Sequence, residues 1–151
     1  MEIKGAQVEN YDEILFRMNR YLQCNFMTGG QGQMNIMIAS DIHGSAYYCS
    51  KLMEAFEREG ADRLLLLGDL LYHGPRNDLP RDYAPKEVLH MLNEKKQKIF
   101  CVRGNCEAEV DQMVLNFPVL SESCILYIDG QTIYATHGHI NSPANPPKLH
   151  K

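Results

Sequence analysis

Four short apolar runs in this chain each end at once on a glycine or on a residue type that ligates metals, and this repeated grammar limits the fold most. Ile36 to Ala39 lead into Asp41, His43 and Gly44, and Arg63 to Leu67 lead into Gly68 and Asp69. Ile99 to Val102 lead into Arg103, Gly104 and Asn105, and Thr132 to Thr136 into His137, Gly138 and His139. Helical patterns separate the first three runs, so the chain reads as α/β, built from strand-helix units. In such sheets the carboxyl ends of neighbouring strands share one edge, where ligands bind. The side chains of Asp41, His43, Asp69, Asn105, His137 and His139 are therefore expected to converge. Residues two apart in an extended backbone point the same way, which predicts Asp41 and His43 side by side at the end of the first strand.

The connecting segments support this order. Ser45 can cap a helix whose inward positions include Cys49, Leu52, Met53 and Phe56, with Gly60 as its stop. The leucines at 64 to 67 suit a strand buried on both faces. Leu70 to Ala84 form a long loop rich in Pro, Gly, Asn and Asp, and loops of that length inside a compact domain usually have a task. Pro85 opens a second helix with Val88, Leu89 and Leu92 on one face, ending in the solvated cluster Lys95, Lys96 and Lys98. Val110, Met113, Val114 and Phe117 predict a third helix with an apolar face, closed by Pro118. Cys124 to Ile128 and Thr132 to Thr136 read as strands joined through Asp129 and Gly130, a two-residue hairpin signal.

Residues 1–33 differ in character. Ile14, Leu15, Met18, Tyr21 and Leu22 predict one amphipathic helix from about Tyr11 to Leu22, and Thr28 to Gln33, TGGQGQ, has the make-up of a flexible linker. The division expected is an extension over 1–33, without chemistry of its own, and a domain over 34–151.

A net charge of -4 and a pI near 5.8 argue against a large nucleic-acid surface, which needs clustered Lys and Arg. Five cysteines without a CxxC pair argue against a disulfide framework or a structural zinc. No apolar run approaches bilayer length, and the acidic start, with Glu2, Glu9, Asp12 and Glu13, is not that of a secretory signal. A cytoplasmic location is the expectation, and the sequence leaves a homo-oligomer open.

Two carboxylates, an amide oxygen and imidazoles form a mixed oxygen and nitrogen donor set. That set suits manganese, iron or zinc, and it disfavours copper(I) and calcium. A central Asp69 could bridge two ions, a recurrent device for phosphoryl chemistry in which a bridging water is acidified to hydroxide and the ions neutralise phosphate oxygens. Each residue alone has a plainer reading as a cap or a turn. Capping does not predict ligand types at four successive strand ends.

SDIHG from Ser40, LGD from Leu67, RGNCE from Arg103 and THGH from Thr136 resemble the ordered motifs of the calcineurin-like metallophosphoesterases. YHGPRNDLP from Tyr72 and GNCEAEVDQM from Gly104 resemble in particular the YfcE-like bacterial phosphodiesterases, and the similarity runs from Asn35 to roughly Leu149. The resemblance implies a layered α/β/β/α sandwich around a dinuclear site, usually assayed with manganese, with iron, zinc, nickel or cobalt as other divalent ions. It implies that Asp41 and His43 hold the first ion, that Asp69 bridges, that Asn105 and His137 hold the second, and that His139 lies beside them. Of these, Asp41, His43, Asp69 and Asn105 are the expected catalytic residues. Arg76 and Asn77, by charge and placement in the long loop, are candidates to contact substrate phosphate, beside the plainer role of forming a turn.

Two departures follow from the same comparison. Cys106 stands where many of these enzymes carry a histidine that protonates the leaving oxygen. A thiol with a pKa near 8 or 9 is a poor donor to an alkoxide, so diesters or aryl esters with good leaving groups are the expected substrates. The family also carries a Gly-His-x-His segment after the THGH strand, which this sequence does not reach by Lys151. The expectation is a C-terminally truncated metal-dependent phosphodiesterase, with each ion one ligand short and a sheet edge exposed. The competing expectation is a non-catalytic interaction module of the same fold, as in the retromer-associated relative, or an inactive fragment.

Overall fold

A computed structural model describes residues 6–7, 22–27, 33–128, 131–142 and 144–147. The architecture grows from β4 (Arg63–Leu66), in which Leu64, Leu65 and Leu66 are each at most 1% exposed. A strand this apolar on both faces belongs in the middle of a sheet covered on both sides. It pairs in parallel with β3 (Gln33–Ala39) on one side and with β5 (Ile99–Cys101) on the other. Parallel neighbours need crossovers, and α1 (Ala46–Arg58) and α2 (Pro85–Glu94) supply them, with a 3-10 turn over Lys96–Lys98 leading into β5.

Side chains alternate between the two faces with period two. Met37, Ala39, Leu64 and Leu66 meet Cys49, Leu52, Ala55 and Phe56 of α1 and Val88 and Leu92 of α2 in the main core. Ile36 and Leu65 face the other way, against the antiparallel hairpin β6 (Cys124–Ile128) and β7 (Gln131–Ala135), whose Cys124, Leu126, Ile128 and Ile133 close a second cluster. The layers are thus helices, a five-stranded sheet and a two-stranded hairpin. They fit three layers of the expected sandwich, and a fourth is not found among the described residues.

Ser45 caps α1 as the sequence suggests, its Oγ accepting from the N–H of Tyr48 at 3.2 Å, and Gly60 follows the helix in a left-handed conformation, φ 61°. The hairpin strands pair Ile128 with Gln131, which fits a two-residue connection; residues 129 and 130 themselves lie outside the described residues.

Three expectations need correction. The predicted helix from Tyr11 and most of the linker lie outside the described residues, but Leu22 opens a strand, β2 (Leu22–Met27), antiparallel to β3, and β1 (Ala6–Gln7) pairs with β2 in turn. Leu22, Cys24 and Phe26 alternate with Gln23 and Asn25, a strand signal that the helical spacing before it obscured. Gln33 likewise opens β3 rather than closing a linker. The third correction concerns α3 (Glu109–Val114), a helix of six residues whose Val110, Met113 and Val114 are 59%, 82% and 41% exposed. Its position is set at the ends: Asn93 on α2 donates to the Val114 carbonyl at 3.0 Å and accepts from the N–H of Asn116 at 2.7 Å. The burial predicted for the helix is supplied by Leu115, Phe117 and Val119 in the segment after it.

Candidate metal centre

Beyond β3 and β4 the two segments stay zipped. The N–H groups of Asp41, His43 and Gly44 donate to the carbonyls of Gly68, Asp69 and Leu70 at 3.0, 2.8 and 2.8 Å. The backbone there is not extended. Asp41, His43 and Asp69 all lie in the left-handed region, with φ of 61°, 49° and 57°. Asp41 and His43 therefore come together through turns and not through strand alternation, which corrects the sequence expectation. Non-glycine residues in this region carry conformational strain, which persists only where surrounding contacts over-determine it.

Glycines make those contacts close enough. A Cβ on Gly68 would stand 2.2 Å from the amide nitrogen of Gly104, and one on Gly104 would stand 2.1 Å from Asp69 Oδ1. The ends of β4 and β5 touch backbone to backbone as a result.

Of the side chains expected to converge, those of Asp41, His43, Asp69, Asn105 and His137 do so. His43 Nε2 is 3.4 Å from Asp41 Oδ1 and 3.6 Å from Asp69 Oδ2, and His137 Nε2 is 3.7 Å from the same Asp69 oxygen. Asn105 Oδ1 lies 3.1 Å from His137 Nε2. Ligand atoms of Asp41, Asp69 and His137 form one group within 4.8 Å of one another, and those of His43, Asp69 and Cys106 form another. Asp69, 2% exposed, belongs to both.

The imidazoles are held in a tautomer that suits a cation. His43 Nδ1 meets the Tyr72 carbonyl at 2.8 Å, and His137 Nδ1 meets the Leu67 carbonyl at 2.7 Å. A carbonyl can only accept, so both Nδ1 atoms carry hydrogen, and each ring in its neutral form turns the lone pair of Nε2 inward. His137 Nε2 and Asn105 Oδ1 are then two acceptors face to face, which a proton or a cation between them would satisfy.

The electrostatics agree. The hydrogen bond with Asp41 is the largest cause that pushes His43 up to about 9, against burial and with help from the Tyr72 carbonyl and the Asp69 charge. Burial alone would raise Asp41, but hydrogen bonds with His43 and Ser40 and the nearby histidine charges hold it below the usual carboxylate range. Negative potential is concentrated here. Burial, followed by the Asp69 charge, pushes the Cys106 thiol up to about 12.

The remaining predicted residues are less central. His139 is exposed, its ring 5.2 Å from that of His137. Arg76 and Asn77 are exposed on the long loop, yet both line a cavity of about 180 Å³ with Asp41, His43, Asp69 and Asn105. Asn77 also donates to the His73 carbonyl at 3.0 Å, as a turn residue would. A second cavity of about 420 Å³ shares the Asp41 and His43 wall and extends past Arg76 to Tyr48, His73 and Pro80.

Glu107 was not singled out from the sequence. It is 5% exposed, and its carboxylate accepts from the N–H groups of Asp69, Leu70 and Gly104. The available signal was an acidic residue two positions after Asn105, inside the RGNCE motif.

A family model for calcineurin-like phosphoesterases matches residues 34–150. Curated proteins named phosphodiesterase YfcE from three Escherichia coli strains are each 47% identical over 118 residues, covering 78% of this chain and 64% of the relative. A solved structure of YfcE, described as a phosphoesterase from E. coli, superposes with a TM-score of 0.73 at 47% identity, covering 76% of this chain and 63% of that one. The chain thus spans just under two thirds of the length of the relatives it matches.

Proposed function

This chain belongs to the calcineurin-like phosphoesterase family, and on that premise we propose that it serves a metal-dependent phosphodiesterase whose centre is built on Asp69. The observation that carries the reading is the position of one Asp69 oxygen between two imidazole nitrogens, each turned inward by a backbone carbonyl. Asp41 and His43 would hold one divalent ion, Asn105 and His137 a second, and Asp69 would reach both. The oxygen and nitrogen donor set fits manganese, iron or zinc, with nickel or cobalt as other occupants, and the family resemblance is what puts manganese first. Bound there, the ions would neutralise phosphate oxygens and make water more acidic.

The chain's own residues supply the rest. The smaller cavity suits the phosphoryl group, and Arg76, whose guanidinium forks match phosphate, stands at its wall beside Asn77. The larger cavity suits one ester substituent, with Tyr48 and Pro80 as apolar surface. Cys106 stands where a histidine would protonate the leaving oxygen, and a thiol is a poor proton donor to a departing alkoxide. Diesters with good leaving groups are the substrates this favours, in keeping with the name phosphodiesterase carried by the relatives.

The test is hydrolysis of an activated aryl phosphodiester with added Mn²⁺. We expect metal-dependent turnover that falls about 100-fold or more in Asp69→Asn, the scale of losing one preorganised charged group. A folded chain that takes up no metal and turns over no phosphoester would favour a non-catalytic interaction module instead.

A further inference from the structure

We propose that Glu107 is a positioning residue, whose carboxylate clamps the backbone that aims Asp69 into the centre; the role rests on the metal reading above. A buried carboxylate is costly unless its oxygens are satisfied. Those of Glu107 are met by backbone. Oε2 accepts from the N–H of Asp69 at 2.8 Å and of Gly104 at 2.6 Å, and Oε1 accepts from the N–H of Leu70 at 2.7 Å.

The amides of Asp69 and Leu70 belong to the two peptide planes that flank the Asp69 Cα. One carboxylate bonded to both fixes φ and ψ of Asp69, the residue held left-handed at 57°. The third bond ties that turn to the end of β5. Asp69 returns the tie, because its Oδ1 accepts from the N–H of Cys106 at 2.8 Å. With Oδ1 committed, Oδ2 is the oxygen left facing His43 and His137. The path from Glu107 to the centre therefore runs through the two peptide planes at Asp69 and one carboxylate rotor.

The chemistry required is narrow. A glutamine has a single acceptor oxygen, so whichever way its amide is turned, at least one of the three N–H groups would face another N–H. An aspartate keeps both oxygens but is one methylene short of the reach.

The experiment compares the parent chain, Glu107→Gln, Glu107→Asp and a core control, Val88→Ala, which is fully buried on α2. Amide hydrogen exchange is read without metal, and Mn²⁺ affinity by calorimetric titration. In Glu107→Gln we expect faster exchange at Asp69, Leu70 and Gly104 than at β4 residues, and Mn²⁺ affinity lower by about 10- to 100-fold, the range for losing a group that orients a ligand. Val88→Ala should lower the melting temperature and leave Mn²⁺ affinity unchanged, which separates positioning from general destabilisation. If Glu107→Gln does not fold, Glu107→Asp decides by the same two readouts. Unaltered Mn²⁺ affinity in a folded Glu107 variant overturns the proposal while leaving the metal centre intact. If the parent itself binds no Mn²⁺, the metal reading falls, and the exchange pattern alone decides whether Glu107 holds the turn: unchanged rates overturn it.

Discussion

At the scale of single residues, ligand types were legible in the sequence and backbone conformation was not. Asp41, His43, Asp69, Asn105 and His137 stood out because carboxylate, amide and imidazole groups recurred at strand ends. The left-handed φ values of Asp41, His43 and Asp69 did not stand out, since Asp and His adopt that region only where neighbours hold them in it. Those neighbours include Gly104, where any side chain meets Asp69. Gly104→Ala is expected to lose about 1–3 kcal/mol of stability in urea unfolding, the usual cost of overpacking, and to weaken Mn²⁺ binding as Asp69 shifts. The state of His43 gives a pH signature. Its folded value of about 9 lies above the ordinary 6.5, so in the metal-free chain its contribution is fully present below 6.5 and lost as pH rises through 9. A divalent ion must displace that proton, so its affinity should rise over the same window. Urea midpoints with a chelator should fall between those limits, and the extra stability given by Mn²⁺ should widen; parallel curves would contradict this account of His43.

At the scale of elements, α1 and α2 were readable from an apolar face at helical spacing, β4 from a run of leucines suited to burial on both faces, and the hairpin from its Asp129 and Gly130 signal. β2 escaped because a helical pattern ran up to Leu22, and the sequence between its last pair, Met27 with Gln33, reads as a linker rather than as a hairpin connection. The face assigned to α3 was wrong for a different reason: a six-residue helix held by Asn93 at its end does not need its apolar residues inside. Met113→Lys should therefore change stability by no more than about 0.5 kcal/mol, whereas Leu92→Ala on α2 should cost about 2–5 kcal/mol. Equal losses in chemical denaturation would return α3 to the core. Ser45 joins two elements, since its hydroxyl caps α1 and donates to the Arg81 carbonyl at 2.6 Å. Ser45→Ala is expected to cost about 1–2 kcal/mol, with faster amide exchange in the loop that carries Arg76 and Asn77.

At the scale of the whole molecule, the order of strand-helix units anticipated the convergence of Asp41, His43, Asp69 and Asn105, because parallel strands on one sheet bring their carboxyl ends to one edge. The hairpin adds His137 from a second layer, across the face formed by Ile36 and Leu65. That part of the site was readable from the THGH motif, while the Glu107 clamp between β4 and β5 was not, since a buried acid looks like any other acid in a sequence. Among the described residues no helix is long and apolar enough to cross a membrane. The central claim is that four strand ends make one divalent-metal centre hinged on Asp69. Mn²⁺ uptake by the metal-free chain, read by calorimetry and electron paramagnetic resonance, tests it most directly. The account predicts about two ions per chain with a spin-coupled signal, as for ions sharing a bridging ligand, and loss of that signal in Asp69→Asn. A folded chain that binds no Mn²⁺, or that binds it equally well after Asp69→Asn, would contradict it.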